Sequence, residues 1–109
     1  MDHFVEQRRT ARFVCESPLM CTHLEGSRVY SGRSLNHCKR GLAFITQEPM
    51  KSGTTIYFRA DSFAQKRFKH STCRGMRGMG LAQVRWCQPV DGQEPAAYQV
   101  GVEYLGPYP

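Results

Sequence analysis

The sequence predicts an all-β fold, a small barrel or sandwich. Three observations predict it. Six short runs rich in β-branched and aromatic residues recur at roughly 8–15 residue spacing. Glycine and proline stand between the runs as turn signals. No stretch shows the apolar period of a convincing amphipathic helix.

In order along the chain, residues 1–11 are polar, with a turn of helix conceivable at Glu6–Arg9 but nothing to enforce it. Arg12 to His23 reads as the first strand. Phe13, Cys15, Ser17 and Leu19 share one face at a period of two, and Pro18 signals an edge or a bulge. Glu25-Gly26-Ser27 turns the chain into a second strand, Arg28 to Leu35, where Val29, Ser31, Arg33 and Leu35 alternate with Tyr30, Gly32 and Ser34. Asn36 to Gly41 reads as a turn. Leu42 to Thr46 is apolar enough for a central third strand. Pro49 to Gly53 turns into a fourth strand over Thr54–Arg59. Ala60 to Gly80 breaks the regularity as a long loop or hairpin tip. Leu81 to Cys87 alternates as a fifth strand, Asp91-Gly92 marks a hairpin turn, and Tyr98 to Leu105 is the sixth. Gly106-Pro107 cannot extend it.

The chain is one domain of 109 residues, long enough to fold without a disulfide or metal. Its 40% hydrophobic and 22% charged residues fit neither a disordered chain nor a coiled coil. The net charge of +6 suits an anionic partner (nucleic acid, nucleotide or acidic membrane), or serves solubility alone. Five cysteines form no Cys-x-x-Cys pair, and no secretory leader or membrane-length apolar run is visible. The expectation is reduced thiols in the cytoplasm, with Cys15 and Cys87 as isolated core cysteines.

Two segments stand out chemically. Arg8, Arg9 and Arg12 cluster just before the first apolar run, and guanidinium forks match phosphate oxygens. Asn36-His37-Cys38-Lys39-Arg40-Gly41 joins two strands and offers amide donors and acceptors that fit a base edge. The plainer readings are a solvated basic terminus for the arginines, a turn residue for Asn36, and a backbone role for Gly41, either a positive φ or close approach of a ligand.

These residues carry a resemblance. Arg8-x-x-x-Arg12 resembles the Arg-x-x-x-Arg element of PilZ domains. Asn36-x-Cys38-x-x-Gly41 resembles their (Asp/Asn)-x-Ser-x-x-Gly element, and Ala82–Trp86 with Tyr98–Leu105 is similar to their closing hairpin. The similarity spans about residues 7–105. It implies a six-stranded antiparallel β-barrel over residues 12–105 with a flexible N-terminal arm over 1–11. It also implies a cyclic di-GMP receptor of the bacterial cytoplasm rather than an enzyme, with no cofactor. Arg8, Arg9 and Arg12 would take phosphate and guanine, while Asn36, Cys38 and Gly41 would meet the guanine edge. Cys38 stands where the family has Ser, and a thiol is the weaker hydrogen-bonding group. The chain stops after the sixth strand, so a signal is expected to pass to a separate protein partner.

Other readings stay open beside this one: a barrel that has lost its ligand and binds proteins, or a nucleic-acid-binding barrel using the basic stretch Lys66 to Arg77. Trp86, Tyr98 and Tyr104 are expected in core or half-buried packing. Cys38 could be redox-sensitive beside Lys39 and Arg40. The four histidines and five cysteines fit no zinc spacing. No paired carboxylates, Ser-His-Asp arrangement or phosphate loop argues for catalysis.

Overall fold

The structure is a computed structural model that describes residues 13–60 and 77–106. The strands are β1 (Phe13–Val14), β2 (Pro18–His23), β3 (Val29–His37), β4 (Gly41–Thr46), β5 (Thr55–Ala60), β6 (Met79–Pro89) and β7 (Tyr98–Tyr104). All pairings are antiparallel, in the order β3-β2-β5-β6-β7-β4, and β4 pairs back onto β3. Six strands thus close into the expected barrel, which leaves no long edge to recruit other chains. Among the described residues there is no helix.

The expected first strand is split in two. Cys15, Ser17, Leu19 and Cys21 all face the interior, as a period of two requires, yet the ladder breaks between Val14 and Pro18. Pro18 has no N–H to donate. The fully buried Ser34 hydroxyl bridges the gap instead. It accepts from the Ser17 N–H at 3.0 Å and donates to the Cys15 carbonyl at 2.6 Å. Neither the edge strand nor the bulge expected of Pro18 is realised: it is the first residue of β2, a strand paired on both sides, and is itself paired only with Arg33.

The core fills the barrel with Leu19, Leu42, Phe44, Ile56, Phe58, Val84, Val100 and Val102. Phe58 stacks on Tyr104 at 5.6 Å between ring centroids. Cys21 lies in this core, and burial pushes its thiol up to about 12. One expectation is overturned. Cys15 is disulfide-bonded, to a cysteine outside the described residues, and is not a reduced core thiol. Cys21, Cys38 and Cys87 are free. Cys87 packs half-buried against the core, where its sulfur accepts from the Met50 N–H at 3.4 Å.

Two β-bulges interrupt the regular ladders. In β3 the register against β4 shifts between Ser34 and Asn36. In β6 the register against β7 shifts between Val84 and Trp86. Each bulge inserts one residue, Leu35 or Arg85, so the side-chain parity flips at that point.

Candidate functional site on the outer wall

Strand parity before the bulges sends Ser34 and Val84 inward, and both are buried. With uninterrupted alternation Asn36 and Trp86 would follow them into the core. The bulges turn both outward, while the next residues, His37 and Cys87, return to the inner face.

Cross-strand register then sets out one row along the outer wall. Val14 pairs with Asn36, Asn36 with Ala43, Ala43 with Gly101, and Gly101 with Trp86. Directly paired residues share a face. Three strand spacings separate Asn36 from Trp86, about 14 Å along the wall. The middle of the row is built from small residues. The indole of Trp86 lies against Gly101, where a Cβ would collide with the ring, and Trp86 keeps 38% of its surface exposed. The row therefore has a half-buried amide at one end and an exposed indole at the other, with Ala43 and Gly101 buried between them.

The Asn36–Gly41 segment differs from the expected six-residue turn. Asn36 and His37 still belong to β3, and Gly41 already belongs to β4. The Cys38 N–H donates to the Gly41 carbonyl at 2.8 Å, leaving Lys39 and Arg40 as an exposed two-residue tip. Cys38 is half-buried at the base of that tip. Gly41 does not adopt a positive φ. It is required because β7 runs too close: a Cβ there would run into the Val102 carbonyl. The close approach of protein backbone is thus enough to call for glycine at this position.

The structure thus brings Asn36, Cys38 and Gly41 together at one end of the barrel. Arg8, Arg9 and Arg12 lie outside the described residues, as does most of the basic stretch from Lys66. The described chain begins at Phe13, which pairs with His37, so residues 1–12 join the barrel beside the Asn36 turn. Trp86, expected in core or half-buried packing, is instead laid on the outside by the bulge at Arg85, at 38% exposure. A tryptophan facing a glycine across a hairpin is the signal that could have found it, because an aromatic ring shields the bare glycine backbone. Tyr98 is half-buried and Tyr104 buried, as expected.

A separate groove of about 540 Å³ lies at the far end of the β3–β4 hairpin, lined by Arg28, Tyr30, Arg33, Gln47, Glu48 and Gln93 among others. Arg28 is already paired with Glu48 there at 2.9 Å. The Ser31 end of this groove is about 16 Å from Asn36 along β3. Among the described residues, no group of three or more His, Cys, Asp or Glu side chains could hold a metal ion. No helix of the described residues is long and apolar enough to cross a membrane.

No family model and no curated protein matches the sequence. Among solved structures, the chain is similar to the "PilZ domain with c-di-GMP of YcgR from Escherichia coli". That match has a TM-score of 0.62 at 12% identity, and covers 92% of this chain and 79% of the other. The closed antiparallel barrel is a PilZ-like fold.

Proposed function

We propose that the protein is a cyclic di-GMP-binding regulatory module, without catalytic activity or cofactor, that acts on a separate protein. The single observation that carries this reading is the outer row in which two bulges turn Asn36 and Trp86 to the outer face on either side of Ala43 and Gly101. Cyclic di-GMP carries two phosphates and two purines. Asn36 offers both donor and acceptor to a guanine edge, and the Trp86 face offers a stacking surface. Arg8 and Arg12 supply charge-assisted bonds to phosphate and planar stacking, with Arg9 on the same arm. Arg12 immediately precedes Phe13, whose partner is His37, so the arm starts next to the amide end of the row. The similarity in fold to a PilZ domain with c-di-GMP supports the choice of ligand.

Cys38 supports a second reading, a ligand-free barrel that binds protein only. A thiol in place of a hydroxyl weakens one neutral hydrogen bond, by about 0.5–1.5 kcal/mol. Calorimetric titration with cyclic di-GMP distinguishes the two. The receptor reading predicts saturable heat, strongly reduced by Arg12→Ala or Asn36→Ala. It also predicts roughly 2- to 12-fold tighter binding for Cys38→Ser. Absence of heat for both the native chain and Cys38→Ser leaves the protein-only barrel.

A further inference from the structure

A second wall of the barrel, on β2, β5 and β6, exposes apolar side chains in register. Met20 pairs with Arg59, and Arg59 with Met79. In the next row Thr22 pairs with Val29 and with Tyr57, and Tyr57 with Leu81. These residues alternate with core-facing Leu19, Cys21, Phe58 and Ala82, so all of them project from the outer surface. Exposure reaches 46% at Met20, 55% at Val29, 39% at Tyr57, 56% at Met79 and 40% at Leu81. An apolar wall of this extent marks an interaction surface in a water-soluble fold. Two of its members are methionines, whose unbranched thioethers adapt to a partner's shape.

The charges on this wall select the occupant. Arg59 stands between Met20 and Met79 and has no ion pair or hydrogen bond among the described residues. Arg33, exposed and paired with Pro18, lies at its margin. No Asp or Glu projects from these rows. A second copy docked about a two-fold axis through the wall would set Arg59 near Arg59 with no carboxylate to separate them. An anionic lipid surface is recognised by clusters of several Lys and Arg, whereas this wall is mostly thioether, aliphatic and phenol. We propose that the β2–β5–β6 wall docks a segment of a separate protein that presents apolar side chains around a carboxylate, with that carboxylate on Arg59. This surface is distinct from the Asn36–Trp86 row, and the assignment holds whether or not that row takes a nucleotide.

The test is a display selection of random linear peptides against the full chain without nucleotide, followed by binding measurements on the synthesised hits. The expected hits carry Asp or Glu flanked by Leu, Phe or Met. They lose about tenfold or more in affinity against Arg59→Glu or Met79→Asp, and perturb NMR signals of Met20, Tyr57, Met79 and Leu81. Replacing the peptide's acid by Lys should restore binding to Arg59→Glu, a rescue that loss of folding cannot mimic. Hits without an acidic residue, or bound equally by Arg59→Glu, overturn the proposal. So does binding to phosphatidylglycerol vesicles through the same residues without any peptide hit, which would make the wall a lipid surface. A concentration-dependent dimer abolished by Met79→Asp would assign the wall to a second copy and overturn it as well.

Discussion

Cys21 and Cys38 show how the same side chain serves different ends according to its place in the barrel. Cys21 is a core residue whose thiol is pushed up by burial to about 12 from its ordinary 9.0. The unfolded chain therefore releases this proton at a lower pH than the folded chain does. Cys21 leaves stability untouched below about 9 and lowers it progressively as the pH rises toward 12. Urea midpoints measured across that window should fall more steeply for the native chain than for Cys21→Ala. Parallel curves would show that the thiol ionises as readily in the fold as outside it. Cys38 instead sits half-buried at the hairpin base, where its backbone N–H is bonded to the Gly41 carbonyl. The residue types at Arg8, Arg12, Asn36 and Gly41 marked a candidate site in the sequence, but the reason for Gly41 was not legible there. Only the nearness of β7 explains why that position admits no side chain.

At the scale of elements, the irregularities in the strands build the site. Apolar, β-branched and aromatic density located β4, β5 and β7 to within one residue. It was silent on the shifts at Leu35 and Arg85. A bulge leaves the composition of a strand unchanged while reversing which face every later residue takes. That is why Trp86 read as core or half-buried and why Asn36 read as part of a turn. The break between β1 and β2 has a comparable origin, since one buried hydroxyl on β3 replaces a ladder step. Ser34→Ala leaves the Ser17 N–H and the Cys15 carbonyl without that partner. The expected destabilisation is about 1–3 kcal/mol, read as a lower urea midpoint at unchanged slope. A change under about 0.5 kcal/mol would mean that a water or a small backbone shift takes over the bridge.

For the whole molecule, closing the sheet fills the interior and leaves both proposed surfaces on the outside. The interior is filled by side chains from Phe44, Phe58 and their neighbours. One wall, from Val14 to Trp86, is suited to a flat anionic ligand, and the other, from Met20 to Leu81, to a protein segment. Trp86 is the single tryptophan of the chain, so its emission reports on the first wall alone. The most direct measurement is a titration of intrinsic tryptophan fluorescence with cyclic di-GMP. A saturable change in Trp86 emission, lost in Asn36→Ala and in Arg12→Ala, is the predicted result. Unchanged emission while calorimetry records saturating heat would put the ligand elsewhere on the barrel and contradict the outer-row site.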